Sequence, residues 1–406
     1  MDGLYLICVT SGSGLPVFTR SVGNVKQLPF PVIGSLNAVH MFAANHEAEL
    51  KSTATEDARI VWKEFHDSLV LIAVHCGNGR VVDCELERLL DRTWAAMVLL
   101  YGLEELRQIR NVERFKREIK VCHPLIDTLL RRVELPVFSD VTGAVEGVLA
   151  SEATALQNFL EAFVEAADTP YGCLLSHGRL VGATAKWWDL SATELVLLSL
   201  LGLSFSPCSC RDVPIYLPDK SPTVPHRLMT FKLMAHVEVW VICGPTPSLS
   251  QLEMEIARFW VAAVDTLHQV RQIHPRNFPA SIDVDNNILG FILINAATHH
   301  SVTSVDVRRE GKDSGELRGR REALREFYGS VWDSQMGGPV TEEASTDVKH
   351  TITDSYTVYS SHKCYAHICG NYQIFVLFSS KIPTYAMRNV CKKTLDAFVK
   401  DKSVMI

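Results

Sequence analysis

The chain has 406 residues, of which 47% are hydrophobic and 21% are charged, as in folded globular proteins and unlike disordered ones. At roughly 150 residues per domain, this length predicts two or three domains. The net charge of −6 gives no general attraction to nucleic acid, because such binding depends on many Lys and Arg contacts to phosphate. Nucleic acid is therefore not expected among the partners.

The eleven cysteines are scattered through apolar stretches, as Cys8, Cys173 and Cys243 illustrate. A cysteine in such a setting behaves as a small buried hydrophobe, so a reducing, intracellular compartment is expected. The close pair Cys208 and Cys210 lacks the further ligands that zinc needs. There is no signal-peptide pattern and no apolar run near the ~18 residues of a membrane span. We expect a soluble protein with at most a peripheral membrane contact.

The first predicted elements are a β-hairpin and a helix. The strands Leu4–Thr10 and Leu15–Arg20 flank a Ser-Gly-Ser-Gly turn that lacks the Gly-Lys-Ser/Thr of a phosphate loop. The helix covers Gln27–Asn45, and Pro31 suits its first turn. Its apolar residues span about half of the circumference, more than one sheet usually covers. Either the helix is buried in the core or one edge of it meets a partner subunit.

Aromatic and aliphatic side chains near this helix are the candidate partner-binding residues. Aromatic residues suit interfaces because they bury much area at little entropic cost. The same reasoning applies to Trp187-Trp188 further along the chain, and core packing is the alternative for every one of these residues. The candidates are Phe30, Ile33, Val39, Phe42 and Trp62.

After a short strand at Glu49–Thr53, a second hairpin and an amphipathic helix, Val82–Tyr101, follow. Two further hairpins, each followed by a helix, occur later in the chain. The alternative is a chance resemblance of short hairpins, but three such units favour an internal triplication of one α+β module. The hairpins are Arg59–Phe65 with Leu69–His75, Arg227–Ala235 with Val237–Cys243, and Cys364–Cys369 with Tyr372–Phe378.

The order of elements in the first module, five strands with one helix inserted after the second and helices at the end, resembles a longin domain. We predict two closing helices, Leu103–Arg117 and Ile119–Arg132, with a break at Pro124. The whole chain is then an α+β protein of three longin-like domains, each a five-stranded antiparallel sheet flanked by helices. The domains are 1–134, 148–274 and 288–406, with linkers at 135–147 and 275–287 and a mobile loop at Gly337–Lys349.

We find no motif of an enzyme or a metal site. Nucleophile elbow, zinc-protease motif, dinucleotide fingerprint and phosphate loop are all missing. Asp283 and Asp285 begin like a calcium loop, but its twelfth position holds Ile294 where a Glu is needed. The adjacent imidazoles of His299 and His300 would point to opposite faces of a hairpin and cannot easily share a metal. No catalytic residue, metal or cofactor is predicted.

Two groups of basic residues lie on predicted helices, and acidic phospholipid headgroups would be attracted to such faces. Glutamates are interleaved in both groups, so a solvated face whose charges pair with one another is the alternative. The first group is Arg107, Arg110, Arg114, Lys116, Arg117 and Lys120. The second, which is the candidate lipid-facing group, is Arg318, Arg320, Arg321 and Arg325.

Several long, irregular strings resemble the planar cell polarity effectors that are built of three longin domains. The match is densest over Met1–Gly244, and from Pro275 onward it is mainly architectural. The strings are LPF at Leu28–Phe30, VIGSLN at Val32–Asn37, VWK at Val61–Lys63, FHDS at Phe65–Ser68, GLEEL at Gly102–Leu106, YLP at Tyr216–Pro218 and SPTVPHRL at Ser221–Leu228.

This resemblance implies a non-enzymatic subunit that pairs through longin domains with Inturned and is joined by a WD-repeat planar polarity effector. Similarly paired subunits act as guanine nucleotide exchange factors for Rab-family GTPases. The implied setting is cilium assembly, Hedgehog signalling and planar cell polarity, in the cytoplasm and cytoskeleton at the cilium basal body. The alternative is a scaffold or effector that binds a GTP-loaded small GTPase and phosphoinositide membrane there without exchange activity.

Overall fold

Three β-sheets organise the chain, each with helices on its faces. The structure is a computed structural model, which describes residues 3–77, 83–134, 144–308, 313–336 and 353–400. The predicted mobile loop Gly337–Lys349 and most of the first predicted linker lie outside these ranges. The α+β class with three longin-like sheets is as predicted.

The first sheet has the strand order β2-β1-β5-β4-β3, and all four of its strand pairings are antiparallel. Strand β1 is an inner strand between β2 and β5 and is buried along its whole length. The strands are β1 Gly3–Thr10, β2 Pro16–Gly23, β3 Ser52–Ala54, β4 Ala58–Phe65 and β5 Leu69–Cys76; the helices are α1 Phe30–Asn45, α2 Asp83–Tyr101, α3 Leu103–Arg107, α4 Val112–Glu118 and α5 His123–Glu134.

The end of this module differs from the prediction of two closing helices. The chain leaves the helix after α3 and re-enters it at α4, where the Asn111 side chain accepts a hydrogen bond from the Arg114 amide, a typical N-cap. A 3₁₀ turn, Ile119–Cys122, joins α4 to α5. Pro124 does not break a helix, because it lies in the first turn of α5, where its missing N–H costs no hydrogen bond.

The second sheet has the order β8-β7-β11-β10-β9. The Ser248 hydroxyl and the Gln251 side chain form a reciprocal capping box at the start of the helix after β11. The strands are β7 Tyr171–Ser176, β8 Arg179–Ala183, β9 Cys210–Leu217, β10 Ser221–Met234 and β11 Val237–Cys243; the helices are α6 Ala153–Ala166, α7 Ala185–Trp188, α8 Ala192–Ser204, α9 Leu249–Trp260 and α10 Val264–Ile273.

The third sheet has six strands in the order β14-β15-β16-β12-β13-β6. The sixth, β6, is Val145–Glu146, which we had assigned to a linker; it pairs parallel to β13. A strand of two residues is too short to show any periodicity, so no sequence pattern could indicate it. The other elements are β12 Ile288–Asn295, β13 His300–Ser304, β14 Asp354–Val358, β15 His362–Cys369, β16 Tyr372–Ser379, α11 Ser314–Met336 and α12 Thr384–Lys400.

Internal contacts divide the chain into two compact units. The first unit is Met1–Val137 with Thr193–Leu228 and Cys243–Pro245, and the second is Phe138–Ala192 with Met229–Ile242 and Thr246–Ile406. The first unit holds the first sheet and its helices, and the second unit holds the third sheet. No helix among the described residues is long and apolar enough to cross a membrane.

Candidate functional site

Helix α1 is held on the first sheet by a narrow stripe of side chains. Ile33 and Asn37, one turn apart, are its two buried residues. Ile33 packs into a core cluster with Ile7, Trp62 and Ile72. The indole Nε1 of Trp62 donates a hydrogen bond to the Leu36 carbonyl at 3.2 Å. The inner side of α1 is therefore fixed both by packing and by a side-chain bond to its backbone.

The remaining surface of α1 is apolar and exposed. Phe30 and Phe42 are each 66% exposed, and Val32, Val39 and Met41 are also open to solvent. The helix contains no Asp, Glu, Lys or Arg in its 16 residues. A solvated helix face normally carries charges, and a contiguous apolar surface on a folded protein marks an interaction site. We call the exposed side chains of Phe30, Val32, Val39, Met41 and Phe42 the α1 face.

A shallow groove of about 270 Å³ runs along this face. It is lined by Pro31, Val32, Ser35, Leu36 and Val39, so its walls are almost entirely apolar. At the neighbouring Gly34, an added Cβ would meet no atom within 4 Å. The helix backbone is thus open to close approach, and the groove can receive an apolar side chain from another protein.

The structure separates the five candidate partner-binding residues into two groups. Phe30, Val39 and Phe42 lie on the α1 face, whereas Ile33 and Trp62 are buried in the core. For these last two the partner-binding assignment is corrected to core packing, because Ile33 of α1 faces the sheet and Trp62 of β4 lies beneath α1. Val32 and Met41, which we had not named among the candidates, also belong to the exposed face. The lack of charge along the helix was the signal that could have identified both.

The arginines of α11 do not form one lipid-facing surface. Arg320 is mostly buried and donates to the carbonyls of Leu289 at 3.2 Å and Val305 at 3.1 Å, so it anchors the helix to its sheet. Arg318 pairs with Glu322 at 2.9 Å. Of the other two, Arg321 is exposed and Arg325 half-buried. Arg320 is therefore withdrawn as a lipid contact.

In the first group of basic residues, the interleaved charges pair along the helix. Arg114 lies 2.7 Å from Glu118, and Lys116 lies 2.8 Å from Glu113. Such exposed pairs contribute little stability, because water and salt screen them. The alternative of a solvated, self-paired face is the one that these contacts support.

The histidine pair and the tryptophan pair have structural roles. His299 takes a left-handed backbone at the β12–β13 turn, and the His300 ring contacts Trp188, with centroids 3.8 Å apart and planes tilted by 47°. Burial lowers the pKa of His300 to about 4, so this imidazole is neutral at neutral pH. Trp187 is buried. No group of three or more His, Cys, Asp or Glu among the described residues could hold a metal ion.

The predicted calcium-like segment is a turn that leads into β12. The Asp285 carboxylate accepts hydrogen bonds from the backbone amide of Asn287 at 2.8 Å and from its side chain at 2.9 Å. An aspartate that bonds the backbone two residues on forms an Asx turn. This arrangement explains the acidic spacing without a bound cation.

A second concavity, of about 420 Å³, lies within the first unit between α2 and the residues that flank β9. Its lining mixes Arg88 and Arg92 with Asp91 and Asp219 around Trp94. Lys63 pairs with Asp91 at 2.7 Å. Charges of both signs give this cleft no preference for an anionic or a cationic ligand, so the α1 face is the stronger candidate site.

Comparison with known proteins agrees with this arrangement of sheets. Three models, described as the first, second and third longin domains of FUZ, MON1 and HPS1, match residues 4–129, 167–261 and 287–402. The Protein fuzzy homolog of Xenopus tropicalis is 41% identical over 98% of this chain and 99% of its own length. The chain belongs to the Fuzzy family.

Two mammalian members of the Fuzzy family give the same result. The human Protein fuzzy homolog is 38% identical and the mouse protein 37% identical, each with 97% of both chains aligned. The third longin match also covers the part of the chain where only the architecture had suggested the assignment. Similarity to Fuzzy proteins therefore extends over nearly the whole chain.

Proposed function

We propose that this Fuzzy-family protein is a non-enzymatic subunit of a planar cell polarity and ciliogenesis effector complex, and that it pairs with Inturned through the α1 face. The pair is proposed to act as a guanine nucleotide exchange factor on a Rab-family GTPase. The observation that carries the proposal is the uncharged, exposed outer side of α1. A planar polarity protein with WD repeats, the cilium basal body and Hedgehog signalling complete the proposed setting.

The dimensions of the α1 face suit a protein partner. Phe30 and Phe42 are twelve residues apart, which is roughly 18 Å along a helix. Full burial of each phenylalanine would contribute about 1.5–3 kcal/mol, and aromatic residues at the centre of an interface are common hot spots. The groove beside them offers a pocket for one anchoring side chain of the partner.

An exchange factor of this kind needs no catalytic acid, base or nucleophile. It releases the nucleotide by binding the empty GTPase more tightly than the loaded form, so the differential affinity supplies the driving force. What such a subunit must provide is a stable surface. The α1 face, fixed from beneath by Ile33 and Trp62, meets that requirement.

The first test is co-purification of the full chain with Inturned. Phe42→Glu places a charge on the α1 face and should abolish co-purification, while circular dichroism and the melting temperature stay unchanged because Phe42 lies outside the core. Met254→Glu, at an equally exposed apolar position on α9, is the matched control and should still bind. Retained binding by Phe42→Glu would refute the assigned surface.

The second test is the rate of GDP release from the GTPase. Acceleration is expected with the pair and not with this chain alone, and Phe42→Glu should remove it. If the intact pair forms but leaves the release rate unchanged, the exchange activity is wrong, and a scaffold that carries a GTP-loaded GTPase to the membrane becomes the better account.

A further inference from the structure

Strand β14 forms the outer edge of the third sheet, and among the described residues no strand lies beyond it. Natural proteins protect such edges with charged side chains, prolines or bulges. Between Ser355 and Ser361 the chain contains no charged residue and no proline. Tyr356 is 59% and Val358 is 51% exposed. Beyond Asp354, its first residue, the strand therefore presents an uncharged and β-prone edge.

The hydrogen bonds of β14 show which backbone groups face outward. The Thr353 carbonyl accepts from the Ile368 amide at 2.8 Å, and the Tyr359 amide donates to the His362 carbonyl at 2.9 Å. In an antiparallel ladder alternate residues bond to the same neighbour, so the odd-numbered residues of β14 bond to β15. The N–H and C=O groups of Tyr356 and Val358 consequently point to the free edge.

The strand is held in place before any partner arrives. The Asp354 carboxylate accepts from the Tyr365 hydroxyl and from the His367 Nδ1, each at 2.9 Å, and Arg388 of α12 contacts it at 3.0 Å. These three contacts fix the beginning of β14 against both the sheet and the helix. A preformed edge loses little conformational entropy when another strand pairs with it.

We propose that β14 pairs antiparallel with β14 of a second copy of this chain, in a register centred on Thr357. In that register Tyr356 of each copy lies opposite Val358 of the other, and these are the two residues whose backbone groups face outward. Aromatic side chains opposite β-branched ones are among the favourable cross-strand pairs. Ser355 lies opposite Tyr359, and no like charges meet.

The neighbouring registers are poorer. A register centred on Tyr356 places Asp354 opposite Val358, so that a carboxylate meets an apolar side chain. A register centred on Val358 places Tyr356 opposite Ser360. Only the arrangement around Thr357 places aromatic–β-branched pairs, Tyr356 opposite Val358, at the positions whose backbone groups face the free edge. The strand is thus complementary to itself, which is why we assign a second copy as its occupant.

Tyr385 extends the same surface. It is 89% exposed and lies three residues before Arg388 on α12, hence on the side of the helix that reaches Asp354. Tyr356 pairs with Tyr365 across β14 and β15, and Tyr365 belongs to the core beneath α12. Tyr356, Val358 and Tyr385 therefore share one face of the sheet, next to the proposed contact.

Cysteine cross-linking of the full chain tests the register. In the proposed dimer, the two Thr357 residues form a non-hydrogen-bonded pair with Cα atoms roughly 4.5 Å apart, within the roughly 4.4–6.8 Å that a disulfide needs. The background carries serine in place of the exposed Cys84, Cys208 and Cys369. Mild oxidation of Thr357→Cys should give a disulfide-linked dimer.

Ser355→Cys is the matched control on the same strand. Its two copies would lie roughly 13 Å apart along the strand direction, so its dimer should form at least about tenfold more slowly than that of Thr357→Cys. A mixture of Ser355→Cys with Tyr359→Cys should cross-link between the two variants, because those residues face each other. Equal rates for Thr357→Cys and Ser355→Cys would refute the register.

Sedimentation measures the association without cross-linking. The unaltered chain should dimerise with rising concentration, and Thr357→Lys should weaken the dimer by at least about tenfold because two like charges meet at the axis. An unchanged circular dichroism spectrum would exclude unfolding of that variant. A chain that stays monomeric and forms no Thr357→Cys disulfide overturns the proposal and leaves the edge to a strand of another protein. The inference does not rest on the proposed function, so Phe42→Glu should still dimerise.

Discussion

Three imidazoles stack face to face in the second unit. The ring of His177 lies 4.6 Å from that of His236 and 4.2 Å from that of His274, centroid to centroid, with the planes within 15°. Burial lowers the pKa of His177, and burial together with the neighbouring His177 and Arg179 charges lowers the pKa of His274 to about 4. The surroundings therefore favour the neutral forms of His177 and His274, and a proton on one of these two rings would repel a proton on the other.

This stack predicts a loss of stability in mild acid. An unfolded histidine binds its proton near pH 6.5, whereas His274 in the folded chain does so only near pH 4. Between these values the unfolded state binds more protons than the folded state. The contribution of His274 to the free energy of unfolding should therefore be fully present above about pH 6.5 and should be lost as the pH drops towards 4. His274→Phe keeps a stacking ring without a proton to bind.

The measurement is the urea midpoint of the wild-type chain and of His274→Phe from pH 7 to pH 4. The variant should lose less stability over this interval than the wild type. His268→Phe, at an exposed position on the neighbouring helix turn, should follow the wild-type curve. Identical pH dependence of His274→Phe and wild type would show that the stack does not cause the loss.

At the scale of single residues, the sequence could indicate which side chains suit an interface but not which of them reach solvent. Phe30 and Ile33 are three residues apart and belong to one apolar stripe by periodicity. The structure exposes the first and buries the second, because the sheet contacts α1 only around Ile33 and Asn37. How far a sheet extends beneath a helix depends on distant strands, which no local pattern encodes.

At the scale of one element, the core residues and the interface residues of α1 should respond differently to truncation. Ile33→Ala removes a buried side chain from the first core cluster and should lower the free energy of unfolding by about 2–5 kcal/mol. Phe42→Ala removes an exposed ring and should change it by no more than about 0.5 kcal/mol. Chemical denaturation of the two variants measures the contrast. A large loss for Phe42→Ala would mean that the ring supports the fold of this chain.

Hairpins and inserted helices were predictable because their signals are local. A turn residue between two β-prone runs fixes an antiparallel pair, and three such pairs occur close to their predicted positions. Strand β14 was not predicted, because Asp354–Val358 mixes polar and apolar residues. At the edge of a sheet, neither face of a strand needs to be continuously apolar. β6 escaped prediction because its pairing with β13 joins residues more than 150 positions apart.

On the scale of the whole molecule, residues 144–149 connect the edges of two sheets within the second unit. The amides of Val145 and Gly147 donate to the carbonyls of His299 and Ser301, both at 2.8 Å, and the amide of Val148 donates to Leu180 of β8 at 2.8 Å. The segment thereby covers β13 of the third sheet and β8 of the second. The second and third modules are thus joined here by more than the covalent chain.

The ion pair between Glu146 and Arg179 of β8 tests this connection. Its side chains lie 3.0 Å apart and are largely buried, so Glu146→Ala leaves a guanidinium without its carboxylate and should cost about 3 kcal/mol. Because β6 bonds to both sheet edges, amide hydrogen exchange should accelerate in β8 and in β13 together. The control is Asp189→Ala, which breaks an exposed ion pair with Lys186 and should leave both strands protected from amide hydrogen exchange. Faster exchange in β8 alone would mean that the two sheets open independently and that β6 does not couple them.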